Sequence, residues 1–253
     1  MPDGLTGFRC RANGDAASVA AVVVTYNRKE LLCRCLDALL AQTYPLHAVF
    51  VIDNASTDGT SELIATRFKD RVNYERLPEN VGGAGGFHRG MRRAVAAGVQ
   101  WVWVMDDDVR AERCALEGLI GAASSDSIVA VPVRISDLNG ALEEAACIEY
   151  DMQTPWRAPG RHMTSVKSVF PGVDSLPSVL ELANVSFEGP LIPARSIGRI
   201  GLPLSEFFIY GDDTEFALRL RRSGMQLMLV REARVRRMPT AAGAPANGTW
   251  KTR

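Results

Sequence analysis

The 253-residue sequence has no excess of either charge, no long apolar run and no paired-cysteine spacing, and each lack removes a class of protein. Lys+Arg 29 against Asp+Glu 29 leaves a formal net charge of zero, so no overall field draws the chain towards nucleic acid or anionic lipid. The longest aliphatic run, VAAVVV at 19–24, is far too short to cross a bilayer. The opening residues, MPDGLTGFRCRANGDAAS, hold no apolar segment behind their charges and do not read as a signal peptide. Five cysteines (10, 33, 35, 114 and 147) are an odd number with no CxxC spacing. Cys33 and Cys35, two apart in a helical pattern, face different directions. A reduced, cytoplasmic setting is the expectation. No internal repeat or long low-complexity stretch divides the chain, and 47% hydrophobic with 23% charged residues suits a soluble globular protein with one large α/β core or two small ones.

What the sequence does contain is a regular alternation of strand and helix patterns. VAAVVVTY (19–26) is a β-branched run suited to a strand covered on both faces. RKELLCRCLDALLAQ places Leu31, Leu32, Cys35, Leu36, Leu39 and Leu40 at helical spacing. AVFVID (48–53), VNYERL (72–77) and WVWVM (101–105) are predicted as further strands. STDGTSELIATRF, GGFHRGMRRAVAAG and CALEGLIGAA are predicted as the helices between and after them. Such alternation over the first 130 or so residues implies a parallel sheet with ligands at the carboxyl ends of its strands.

Four polar or glycine-rich segments follow those strand ends: TYNR (25–28), DNAS (53–56), NVGGAGG (80–86) and DDD (106–108). Three aspartates at the mouth of a buried strand need an explanation. Carboxylates ~5 Å apart repel by roughly 3 kcal/mol per pair at an effective dielectric near 20. Asp106 and Asp108 project to one side of an extended segment and Asp107 to the other. A hard divalent cation, Mg²⁺ or Mn²⁺, held by one or two carboxylates and a substrate's phosphate oxygens would offset the repulsion. Gly82, Gly83, Gly85 and Gly86 allow backbone to approach a ligand closely before a helix begins, and Arg28 and Arg89 could neutralise phosphate.

The string VVVTYNRKELLCRCLDALLAQTYPLHAVFVIDNASTDGT resembles the opening of the family 2 glycosyltransferases, inverting enzymes of the GT-A fold. MDDDV matches their DxD metal motif, and FEGPLIPARSIGRIGLPLSEFFIYGDDTEFALRLRRSG (187–224) matches their acceptor-side segment. The resemblance covers about residues 19–238 in motif order and spacing, and NVGGAGGF with DDD and GDDTE is similar to galactofuranosyltransferases and their rhamnosyltransferase relatives. It implies a Rossmann-like, mostly parallel sheet flanked by helices, with an acceptor-side α+β segment and one domain over 19–238. Residues 1–18 are expected to be a mobile leader, and the Gly/Ala/Pro-rich composition at 239–253 predicts a flexible tail or lid, or a missing C-terminal extension.

The resemblance also implies roles. Thr25, Asn27, Arg28 and Asp53 should hold the base and ribose of a nucleotide, with Asn80, Gly83, Gly85, Gly86, Arg89 and Asp107 also on the donor side. Asp106 should face the sugar and ribose or the metal, and Asp108 should ligate the metal. Gly189, Pro190 and Tyr210 fall on the acceptor side. Asp213 matches the catalytic base, with Asp212 beside it shaping its pKa. An acidic helix N-terminus, favoured by the helix dipole, accounts for DDTE structurally, and both readings are compatible.

One departure stands out. The family usually places a metal-completing histidine after the last strand, where this chain offers Arg236 and Arg237, its histidines being 47, 88 and 162. Arginine stays protonated and cannot ligate a metal. The pair either binds the diphosphate directly or forms a solvated face.

The activity so implied is transfer of a sugar from UDP-galactofuranose, or next a dTDP-rhamnose-type donor, to a glycan or polyprenyl-linked hydroxyl. That activity belongs to polysaccharide assembly for the cell envelope, in the cytoplasm or peripherally at the inner face of the membrane. Two alternatives stay in view: a nucleotidyltransferase forming a sugar nucleotide, and a non-catalytic nucleotide-sugar binder. The first would carry a basic glycine-rich loop after its first strand, where TYNRKE stands, and the second would lack a base. A dehalogenase-type phosphatase would carry its DxD on the first strand, not the fourth.

Overall fold

The computed structural model describes residues 16–144, 146–150 and 163–239. Residues 1–15 of the expected leader, residues 240–253 of the expected tail, Cys10 and His162 lie outside the described residues.

The apolar strand runs become the centre of one sheet. β1 (Val19–Thr25), β2 (Ala48–Asp53), β3 (Asn73–Arg76) and β4 (Trp101–Asp106) pair in parallel in the spatial order β3-β2-β1-β4. Beyond β4 the sheet turns mixed. β5 (Val109–Ala111), β6 (Ile128–Ser136), β11 (Leu191–Pro193) and β12 (Gln226–Arg237) extend it in the order β4-β11-β6-β12-β5, with β9 (Val179–Leu182) also paired to β12. β11 is antiparallel to β4 and β6, whereas β12 runs parallel to β6 with an irregularity between Val230 and Arg234. β7 (Ala146–Tyr150), β8 (Met163–Ser165) and β10 (Asn184–Val185) form a separate small antiparallel sheet.

Both faces of β1 are buried, which is why it reads as a continuous apolar run rather than an alternation. Val19, Ala21 and Val23 face one core with Leu32, Leu36 and Leu39 of α1 (Lys29–Leu40) and Leu116 and Leu119 of α4 (Ala115–Ala122). Ala20, Val22 and Val24 face the other with Phe87 and Met91 of α3 (Gly82–Ala96), Ile197 of α6 (Ala194–Ile200) and Phe216 and Leu220 of α7 (Asp212–Arg222). Gly86 and Gly90 on α3 make this contact close: a Cβ there would lie 2.5 Å from Val24 and 2.3 Å from Val22.

Two local expectations are revised. The second helix is not one α-helix: α2 (Thr60–Leu63) passes into a π-helical turn at Ile64–Phe68 and a 3₁₀ turn at Lys69–Arg71, so that Ile64 and Phe68 both reach the core. The third helix starts at Gly82, three residues before the predicted start at 85, because Asn80 Oδ1 accepts the Gly82 N–H at 2.9 Å and closes the entry turn. α5 (Val166–Val169) is a single turn capped by Ser165, whose hydroxyl accepts the Ser168 N–H.

Candidate active site

Register fixes which residues meet at the rim. Thr25 stands beside Asp53 and Val24 beside Asp106, so the ends of β2, β1 and β4 are level. Thr25 donates its hydroxyl to Asp107 at 2.7 Å, and Arg28 Nη1 donates to Asp107 at 3.2 Å and Asp108 at 3.4 Å. Asp107 therefore turns inward to bind the first loop to the fourth strand. Asp106 and Asp108 turn the other way and meet Glu188, the three offering carboxylate oxygens within 4.8 Å of one another.

Glu188 was not anticipated. It precedes Gly189, whose φ of +107° and whose missing Cβ, which would lie 2.7 Å from Pro132, demand glycine. The Gly189 N–H donates to the Val104 carbonyl at 2.8 Å, the Gly189 carbonyl accepts the buried Trp103 Nε1–H at 2.8 Å, and the Pro190 carbonyl accepts the Val104 N–H at 3.1 Å. Gly189 and Pro190 thus clamp Glu188 to β4, beside the aspartates; their side of the chain is not among the lining of the cleft.

Arg134 was also unanticipated, although a lone charge in the buried strand IVAVPVRIS is a legible signal. It forms an ion pair with Glu188, and burial, then the neighbouring charge of Arg237, pull its pKa down to about 10. The two arginines noted at the end of β12 part company. Arg236 pairs with Glu112 at 2.7 Å, on the β5 side, whereas Arg237 lines the cleft 3.6 Å from Glu188 and 3.9 Å from Asp108.

A cleft of about 530 Å³ opens over this cluster. Its opposite wall is the start of α7, where Gly211 (φ +91°) caps the helix and Asp212 and Asp213 occupy the first turn. Burial and then the charge of Asp213 raise Asp212 to about 6. Burial also raises Asp213, while the Thr214 N–H, donated at 2.6 Å, and the Thr214 hydroxyl hold it back. Asn184 Nδ2 donates to the Thr214 hydroxyl at 3.0 Å, a second link that sequence patterns did not reveal. Asp107 is raised to about 7 by burial, against the pull of Arg28, and Asp106 is raised well above the usual range by burial and by Asp108 and Asp107.

Tyr210 (φ +68°), expected on the acceptor side, and Gly83, expected on the donor side, both line the cleft. Several other residues assigned to the donor side do not. Asp53 is wholly buried, accepting the Ser56 N–H at 2.8 Å and the Tyr74 hydroxyl at 2.5 Å. Asn27 (φ +53°) joins the first two loops, its N–H donating to Ser56 Oγ and its Oδ1 accepting the Thr57 N–H. Asn80 closes the turn into α3, and Gly85 and Gly86 are packing positions against Val81 and Val24. Arg89 pairs with Glu75 at 2.6 Å, so its charge is already matched away from the cleft lining.

The carboxylate cluster fits a hard divalent cation. Its ligands are all oxygens, and Asp108 Oδ1 is buried with no hydrogen-bond partner among the described residues, an acceptor waiting for a positive charge.

A level strand rim ending in a DxD turn, roofed by a second acidic pair on a helix terminus, defines a GT-A-type fold. Solved structures agree on that fold: GalNAc-T7 with UDP, GalNAc and Mn²⁺ matches with a TM-score of 0.69 at 16% identity, covering 93% of this chain and 46% of that one. The mannosyltransferase PcManGT from Pyrobaculum calidifontis, in complex with GDP-Man and Mn²⁺, matches with 0.62 at 18% identity, covering 91% and 59%. The chain belongs to glycosyl transferase family 2, whose model matches residues 20–170. Among curated proteins it is similar to galactofuranosyltransferase GlfT1 of Mycolicibacterium smegmatis, 34% identical over 208 residues, and of Mycobacterium tuberculosis, 32% over 210. Each match covers 82% of this chain and 66% of the relative, so the chain spans just under two thirds of their length.

Among the described residues no helix is long and apolar enough to cross a membrane, and Cys33, Cys35, Cys114 and Cys147 are free thiols.

Proposed function

We propose that the chain is an inverting glycosyltransferase that moves galactofuranose from its UDP donor to a hydroxyl of a glycan or polyprenyl-linked acceptor. The observation that carries this reading is the meeting in one cleft of two carboxylate sets, Asp106 at the end of β4 with Asp108 in the turn after it and Asp212 and Asp213 on α7, more than 100 residues apart. Family membership argues for transfer over the nucleotidyltransferase alternative.

In this mechanism Asp213 removes the proton of the acceptor hydroxyl as its oxygen attacks the anomeric carbon. Asp212, beside it on the helix, is raised to about 6 by burial and by the charge of Asp213, so it stays partly protonated near pH 6 and tunes its neighbour. Asp106 and Asp108 would hold Mn²⁺ or Mg²⁺, which as a Lewis acid supplies charge stabilisation for the departing diphosphate. Thr25 and Arg28 act through Asp107, fixing the strand end on which the two ligands sit. Tyr210, exposed at the mouth, offers an aromatic face to an acceptor sugar. The relatives' names support the sugar: both are galactofuranosyltransferases. Peripheral placement at the inner face of a membrane follows from a lipid-linked acceptor.

A donor panel with Mn²⁺ tests the reading. UDP-galactofuranose is expected to be hydrolysed or transferred fastest, ahead of dTDP-rhamnose. Preference for UDP-glucose or UDP-N-acetylglucosamine would overturn the sugar and leave the family intact. Tight donor binding without turnover of any donor and acceptor would favour a non-catalytic binder.

A further inference from the structure

Glu188 has two sets of neighbours. On one side are Asp106 and Asp108, whose carboxylate oxygens lie within 4.8 Å of its own. On the other are Arg134, with which it forms an ion pair, and Arg237 at 3.6 Å. Arg237 also reaches Asp108 Oδ2, at 3.9 Å, while Asp108 Oδ1, on a residue only 3% exposed, is buried without a partner among the described residues. With Arg28, 3.4 Å from the same Oδ2, three guanidiniums thus stand around the cluster, yet they leave one acceptor unmet. An incoming diphosphate would compete for those same guanidiniums, whose planar N–H forks suit phosphate oxygens at least as well as carboxylate. The carboxylates left behind would then repel one another unless a second cation took over.

We propose that Glu188 is a third ligand of the divalent cation and that it exchanges its arginine partners for that cation when a nucleoside diphosphate binds, releasing Arg134 and Arg237 to the diphosphate. This rests on the reading above that Asp106 and Asp108 hold the cation. The backbone supports it: the hydrogen bonds of Gly189 and Pro190 to β4 hold Glu188 at fixed distance from Asp106 on the same strand, so the three carboxylates are preassembled. Arg134 and Arg237 come instead from β6 and β12: Arg134 is buried and also donates to the Glu144 carbonyl, whereas the partly exposed Arg237 has room to swing where the clamped turn does not. An all-oxygen ligand set also carries a selectivity: without nitrogen or sulfur, Mg²⁺ should serve about as well as Mn²⁺.

The test is a Mn²⁺ titration of the full chain by electron paramagnetic resonance, with and without UDP, with thermal melts as a control on folding. Glu188→Gln is expected to weaken binding of Mn²⁺ alone about tenfold or more, as loss of a ligand or of its orienting partner does. Should that variant melt early because Arg134 loses its counter-ion, Glu188→Asp keeps the charge, shortens the reach and is expected to weaken Mn²⁺ with its melting temperature preserved. Arg237→Met should move two readings in opposite directions, tightening Mn²⁺ alone by removing a competing charge and weakening UDP in the presence of Mn²⁺. Wild-type Mn²⁺ affinity in both Glu188 variants, with binding lost in Asp108→Asn, would overturn the third ligand and spare the cation site. Wild-type affinity in Asp108→Asn would overturn the cation site itself. If Arg237→Met shifted both affinities the same way, the exchange would be refuted.

Discussion

The acidic groups of the outer surface and those of the cleft have opposite fates. Glu75 lies between Arg89 and Arg93, and Asp137 between Arg34 and Arg110. Partial burial pushes each of these carboxyls up, but the paired arginines outweigh it and hold both below the usual range. In the cleft, burial wins. Asp107 sits at about 7 and Asp212 at about 6, and Asp106 is raised well above its ordinary value although Arg28 is near. The outer carboxylates are complete as they stand. The inner ones are crowded with like charge, an arrangement that only a further cation or a proton relieves.

The largest expected effect separates the two groups by chemistry. Asp213→Asn should lower turnover about 10²- to 10⁴-fold while UDP affinity in Mn²⁺ is retained, because the amide keeps the size but cannot take a proton. Asp212→Asn should cost less. Glu75→Gln should leave turnover alone and cost about 1 kcal/mol of stability or less, as partly exposed pairs do. Steady-state kinetics with a separate nucleotide titration checks all three. Should Asp212→Asn abolish turnover and Asp213→Asn spare it, the two roles exchange.

Next in size is the nucleotide's dependence on metal. Asp108→Ala should remove the gain in UDP affinity that Mn²⁺ confers, by about 10- to 100-fold, with the fold intact. Calorimetry in metal and in chelator decides it, and equal affinity in both for the wild type would remove the metal from the mechanism.

A smaller effect should appear in stability against pH. The raised cleft carboxyls keep protons in the folded state that unfolded chains release near pH 4. Stability from these groups is therefore full below about 4 and is lost as pH rises through 6 and 7. The outer pairs act in the other window: with lowered pKa values, their contribution is present above about 4 and fails only below it. In chelator the melting temperature should thus fall from pH 5.5 to 8, and Mn²⁺ should flatten that fall by binding the ionised form. A melting temperature that climbs over this range would erase the contrast between the two groups.

The same contrast explains what the sequence disclosed. The rim from Thr25 to Asp108 was legible because β1, β2 and β4 are compact apolar runs and each loop follows its own strand, so motif and position coincide. Asp106 and Asp108 share a side as alternation predicts, but the strand ends at Asp106 and it is the turn of Asp107 and Asp108 into β5 that brings the two together. The outward fate of Arg89 was not legible, because the partner that claims it, Glu75, lies 14 residues back on β3. Glu188 and Arg134 escaped notice for a stronger reason. Their meeting with Asp108 depends on β11 inserting antiparallel between β4 and β6, a choice of topology that no local pattern records. Arg237 was visible as an alternative to the absent histidine, but the register of β12 against β5 decides that it, and not Arg236, faces the cleft.

The finest expected difference lies at Asp213, where burial raises the pKa and hydrogen bonds from Thr214 oppose it. Thr214 donates its N–H to Asp213 at 2.6 Å and its hydroxyl also holds the carboxyl down, against the larger upward push of burial. Asn184 Nδ2 donates to that hydroxyl at 3.0 Å, which leaves the hydroxyl proton free to point at Asp213. Thr214→Val keeps the shape and the backbone N–H but deletes this donor, so Asp213 should hold its proton to higher pH. A base works only when ionised, so the acid limb of kcat against pH should move upward, with the plateau at high pH nearly unchanged. Thr214→Ser should restore the limb, and Asn184→Ala should displace it less, since it removes only the group that orients the hydroxyl. A uniform loss of kcat at every pH would mean that Thr214 supports the helix start and not the base. An acid limb that moved downward would reverse the sign of its hydrogen bond.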